Sequence, residues 1–138
     1  MTTETFILDP TLAKDTVEIT KLDICLVLLI RDRTYPWLIL VPAVHGLRDL
    51  DDLNPEQLQT VMAEVDHISK VMKAQFQPYK MNVAALGNVV EQLHIHVIAR
   101  FQGDPAWPAP VWGAHPPQDY SDADRDHLVD QIRTALCR

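Results

Sequence analysis

The chain has 138 residues, 47% apolar and 22% charged, with a net charge of -7 when histidine is counted neutral. That is enough for one domain over residues 1–138 with a core of its own. The charge argues against a broad nucleic-acid polymer or anionic-membrane surface.

No basic stretch followed by an apolar run opens the sequence, and no apolar segment reaches the roughly 20 residues of a membrane span. Cys25 and Cys137 belong to no CxxC pair and are expected as free thiols of a reducing, cytoplasmic setting.

In chain order, Asp9-Pro10 predicts a short helical turn to about residue 12 or 13. Thr16–Ile19 predicts a short strand. Leu22–Ile30 predicts a strand buried on both faces. After a turn, Trp37–Val41 predicts the next strand, stopped by Pro42 and close enough to be its antiparallel neighbour. Asn54 is a helix cap with Pro55 at the first position and Gln57 completing a capping box. Apolar residues at helical spacing from Leu58 to Met72 then predict one long helix, Pro55 to about residue 75. Lys80–Leu86 and Glu91–Ala99 predict two strands around a turn at Gly87-Asn88. Residues 103–120 hold five prolines and two tryptophans and predict an ordered cover lying across the surface. Ser121 caps a last helix with an apolar line at Leu128, Ile132 and Leu136. The order predicts an α+β fold, a mostly antiparallel sheet with helices packed on it.

Chemistry concentrates in Gly87-Asn88-Val89-Val90-Glu91-Gln92-Leu93-His94-Ile95-His96-Val97-Ile98. Alternation on a strand sends Gln92, His94 and His96 to one face and Leu93, Ile95 and Val97 to the other. Two imidazoles about 6–7 Å apart at their Cα atoms suit three tasks: binding a metal, attacking an electrophile such as phosphorus, or holding an anion. A metal needs a third ligand, for which His45, Glu91 and His115 are candidates, though no spacing demands one. A nucleophile needs one neutral nitrogen free and the other donating to an acceptor, with donors nearby for a phosphoryl group. Gly87, Asn88, Gln92 and His96 lie close enough in sequence to supply such a shell.

This stretch, with the strand–turn–strand–helix order before it, resembles the signature of the histidine triad (HIT) superfamily across about residues 6–120. The resemblance implies a five-stranded mostly antiparallel sheet, one long helix and a C-terminal helix, usually in a homodimer. It implies nucleotidyl hydrolysis or transfer on a phosphoanhydride, phosphoramidate or dinucleoside polyphosphate. His94 falls at the attacking position and His96 at the last position of the triad. Gln92 falls at the first position, where the family uses the backbone carbonyl to hold the nucleophile. Asn88 falls at the phosphate-contacting position after Gly87.

Three positions depart from the family: Gln92 replaces a histidine, Trp37 stands where many members place another, and the ribose-binding position falls on Leu29 or Ile30. Asp32 is displaced from that position. His45, Asn82, Arg100 and Trp107 are further candidates for the cleft, with Trp112 an alternative to Trp107 for stacking on a base. No cofactor is required, although a divalent cation could accompany a polyphosphate substrate. The alternatives are a nucleotide-binding module with little or no catalysis, and a small metal-dependent enzyme built on His94 and His96.

Overall fold

Asp9 accepts the Thr11 N–H at 2.8 Å and Pro10 follows it, so the chain enters helix α1 (Pro10–Asp15) at once. The structure, a computed structural model, describes residues 4–137. Strands β1 (Thr16–Lys21), β2 (Cys25–Ile30) and β3 (Trp37–Pro42) follow as antiparallel neighbours. A 3-10 turn (Leu50–Asp52) leads into α2 (Pro55–Phe76), then β4 (Lys80–Ala84), β5 (Ile95–Arg100) and α3 (Asp122–Leu136). The five strands form one sheet in the order β1-β2-β3-β5-β4, with every neighbouring pair antiparallel. The expected α+β fold, long helix and C-terminal helix are all present.

The period-two pattern gives the sheet two different faces. Val27, Leu29, Leu38, Leu40 and Val97 pack against Val61, Val65, Ile68 and Met72 of α2 and Val129, Ile132 and Leu136 of α3. Leu28, Trp37, Ile39 and Ile98 face the other way, under Leu12 of α1 and Val111 of the Pro/Trp segment. That segment has no strand or long helix and forms the expected cover. His96 and Arg100 share the Ile98 side of β5.

Several strand ends differ from expectation, β1 running on to Lys21 and β4 closing at Ala84 rather than Leu86. Leu22–Ile24 is a turn, because the Leu22 N–H reaches back across it to the Cys25 carbonyl at 2.9 Å. The histidine strand begins at Ile95, not Glu91, because its partners run out there. β3 supplies Leu40 opposite Ile95, and β4 ends with Ala84 opposite His96. Residues 85–94 form an irregular loop, tied down where the Leu93 N–H meets the Leu47 carbonyl at 3.0 Å. Cys25 and Cys137 are free thiols. Among the described residues no helix is long and apolar enough to cross a membrane.

Candidate active site

His94 is the last residue before β5, so its side chain is aimed by the end of the strand and by the loop folded over it. Its Nδ1 lies 2.7 Å from the Gln92 carbonyl oxygen. A carbonyl only accepts, so Nδ1 carries the proton and Nε2 is left with a lone pair. Gly87 lies against the same ring. A Cβ built there would stand 2.9 Å from His94 Cε1 and 2.6 Å from the Val90 carbonyl oxygen, closer than side-chain carbons approach. Only glycine lets the loop close on the imidazole.

His96 stands 4.9 Å from His94 between ring centroids. Both of its nitrogens are engaged within the protein. Trp37 Nε1–H donates to Nδ1 at 3.0 Å, and Nε2–H donates to the Leu86 carbonyl at 2.9 Å. Burial, opposed by the Leu86 carbonyl and aided by His94, pulls the His96 pKa down to about 4. The ring is therefore neutral near pH 7. Trp112, from the Pro/Trp segment, packs edge-on against both Trp37 and His96, with centroids 5.9 and 5.1 Å away.

These groups border a cavity of about 420 Å³ whose remaining wall comes from Leu12, Asp15 and Thr16 of the α1 region and from the loop Leu86–Val90. Among the described residues, the backbone N–H groups of Gly87, Asn88, Val89 and Val90 donate to no protein acceptor. A second recess of about 500 Å³ shares Asp15, Ile30, Trp37 and Trp112 with the first and continues to Lys14, Arg31, Asp32 and His115. The cavity is thus mostly apolar, bordered by the His94 imidazole and by a loop whose N–H groups have no protein acceptor. A site of that make-up can attack and hold an anionic centre.

Several residues singled out in the sequence lie elsewhere. The side chain of Gln92 turns to the N-terminal segment, accepting from the Asp9 N–H and donating to the Ile7 carbonyl, both at 2.8 Å. Only its backbone serves His94. Arg100, Asn82 and Trp107 form a cluster of their own outside the cavity. The buried guanidinium grips both carboxylate oxygens of Asp104 at 2.8 and 3.1 Å. It also reaches Asn82 Oδ1 at 2.9 Å and the Ala109 carbonyl at 2.8 Å. It lies over the rings of Tyr35 and Trp107.

His45 is half exposed beside Glu4, in a separate surface recess with Arg48 and Glu91. Asp32 borders the second recess, its carboxylate accepting the N–H groups of Thr34 and Gln118. Asp49, Asp51 and Asp52 come together around the exposed 3-10 turn, outside the cavity. Asp52 closes that turn by accepting from the Arg48 and Asp49 N–H groups.

Trp37, α1 and the Leu86 carbonyl join the site with no motif in the sequence to mark them. A donor-only indole two residues before Ile39, which pairs with His96 across β3–β5, was the available signal.

A model of the HIT domain matches residues 12–103. A histidine triad protein of Bradyrhizobium japonicum is 38% identical, over 96% of this chain and 99% of its own, with a TM-score of 0.94. One from Marinobacter aquaeolei is 45% identical over 96% and 97%, also at 0.94. One from Sinorhizobium meliloti is 37% identical over 95% and 97%, at 0.92. No curated protein sequence matches the chain.

Proposed function

The chain belongs to the HIT domain family, and from that premise we propose that it is a nucleotidyl hydrolase or transferase acting through a covalent intermediate on His94. The observation that carries this reading is the 2.7 Å bond from His94 Nδ1–H to the Gln92 carbonyl, which leaves Nε2 with a lone pair on a ring that lines an apolar cavity. The exchange of histidine for Gln92 leaves that carbonyl in place.

In the proposed first step, the Nε2 lone pair of His94 attacks the α-phosphorus of a nucleotide. A P–N bond to histidine forms, and the bond to the leaving group breaks with its electron pair. Water then attacks phosphorus, the P–N bond breaks back to Nε2, and a nucleoside monophosphate and a proton are released. The N–H groups of Gly87–Val90 and the Asn88 amide supply the donors for the phosphoryl oxygens. His96 acts as a neutral wall that fixes the loop through Leu86. The cycle draws on no protein-bound metal; a divalent cation would arrive with a polyphosphate substrate. A homodimer in the cytoplasm is the setting we propose.

The test is mass spectrometry of intact protein quenched during turnover with adenylyl and guanylyl anhydrides and phosphoramidates. A nucleotidyl adduct is expected on the native chain and is expected to be absent from His94→Ala, which should keep its fold. Full activity in His94→Ala would sink the proposal. A second reading, a nucleotide-binding module, draws support from His96 offering no nitrogen to the cavity. Tight monophosphate binding without product from any substrate would favour it.

A further inference from the structure

Trp37 and His96 are locked together in a way that limits what the site can do with a proton. An indole N–H can only donate, so His96 Nδ1 must present a lone pair. The Leu86 carbonyl can only accept, so Nε2 must carry the hydrogen. A single neutral tautomer satisfies both partners. Protonating Nδ1 would set two N–H groups head to head in a place where His96 is 5% exposed and Trp37 is 6% exposed.

Trp37 is not free to swing aside. Trp37 is wedged edge-on against Tyr35 and Trp112. Its backbone pairs with Ile98 in the middle of the sheet. Among the described residues, His94 is the titratable ring packed against His96, and the Asp15 carboxyl lines the same cavity.

Resting on the nucleotidyl-transfer reading above, we propose that Trp37 is a positioning residue that denies the site a general acid at His96. It thereby selects phosphoanhydride substrates, whose leaving group departs as an oxyanion, over phosphoramidates, whose leaving group is an amine. When a P–O anhydride bond breaks, the electron pair rests on a phosphate oxygen as a stable anion. When a P–N bond breaks, the pair on nitrogen needs a proton as it leaves.

Among the described residues lining the cavity no other group is placed to give that proton, Thr11 offering only a weakly acidic hydroxyl. His94 keeps its Nδ1–H on the Gln92 carbonyl while Nε2 binds phosphorus. The Thr16 hydroxyl is committed to the Leu12 carbonyl at 2.6 Å. Asp15 brings a carboxylate, which accepts. Asn88 can offer a hydrogen bond but no acidic proton.

Two measurements test this. The first is nitrogen-resolved NMR of the native protein between about pH 8 and about pH 5, where a free histidine titrates. His96 is expected to show a bare Nδ1 and a protonated Nε2 throughout. Trp37→Phe keeps a ring of similar character but removes the donor, and should move the titration of His96 upward from its native position, with burial still holding it below the ordinary imidazole value. A native His96 that already charges there overturns the lock.

The second compares kcat/KM for diadenosine triphosphate and an N-alkyl adenosine phosphoramidate, with the guanosine pair alongside. A missing general acid predicts a preference of about 100-fold for the anhydride, narrowing in Trp37→Phe as the phosphoramidate gains. Equal rates in the native protein overturn the selectivity alone. Turnover of neither substrate overturns the nucleotidyl-transfer reading and the selectivity together. If Trp37→Phe fails to fold, the native NMR and native rate ratio decide by themselves.

Discussion

A methyl group at residue 87 would meet the Val90 carbonyl and the edge of the His94 ring. Neither can retreat easily, since one is backbone and the other is tethered to the Gln92 carbonyl. Gly87→Ala should therefore push the imidazole or open the loop beneath it. A displacement of that size costs about 100-fold in kcat/KM, because attack depends on near-contact geometry. The loop is irregular and lies outside the sheet, so the melting temperature should move little. Parallel activity and thermal-melt measurements check this, and an active Gly87→Ala would mean that the ring is not where attack occurs. The alternation around His94 was visible in the sequence. The reason for Gly87 was not, because it is a contact through space with a residue seven positions on. Trp37 was hidden for the same cause: its partner lies 59 residues away.

Between elements, a carboxylate from α2 holds the start of β2. Glu64 is 8% exposed and accepts the N–H groups of Ile24 and Cys25, the latter at 2.9 Å. Burial first, then the charge of Glu64, raises the neighbouring Cys25 thiol far above its ordinary pKa and keeps it protonated. Glu64→Leu removes the acceptor and strands buried N–H groups, at a cost of about 1–3 kcal/mol in denaturant unfolding. Glu64→Gln keeps an acceptor and should lose less; equal losses from both would show that charge rather than acceptance matters.

Helix α2 itself was legible because its cap, Asn54 with Gln57, is written within four residues and both reciprocal bonds form. The start of β5 was not, because a strand ends where its neighbours end, and the lengths of β3 and β4 are not encoded in the alternation of β5.

At the scale of the molecule, Arg100 pins the Pro/Trp segment to the sheet. Burial alone would raise Asp104, but the guanidinium and the N–H groups of Phe101 and Trp107 outweigh it and hold the carboxyl below its usual value. A depressed carboxyl adds stability above its unfolded pKa, and that stability fades as pH falls through the lower folded one. Arg100→Ala leaves Asp104 buried without its cation and should cost about 3–5 kcal/mol. It should also speed protease cleavage within 103–120, since the Ala109 carbonyl loses its donor too. Cleavage no faster than in the native chain would show that the aromatic contacts suffice. In the sequence Arg100 reads as a candidate for the cleft. Its actual partners, Asp104, Asn82 and Ala109, become neighbours only once the tail folds back across the sheet.

The side chain of Gln92 does a task separate from its backbone. Its side-chain amide meets Ile7 and Asp9 as a neighbouring strand would, giving and taking one hydrogen bond on adjacent atoms of a single plane. An imidazole carries its two nitrogens on divergent sides of a ring and cannot match that pair. Gln92→His would therefore leave the carbonyl beneath His94 as it is and unfasten the N-terminal segment, so the side chain at 92 is held by a contact that has nothing to do with phosphorus.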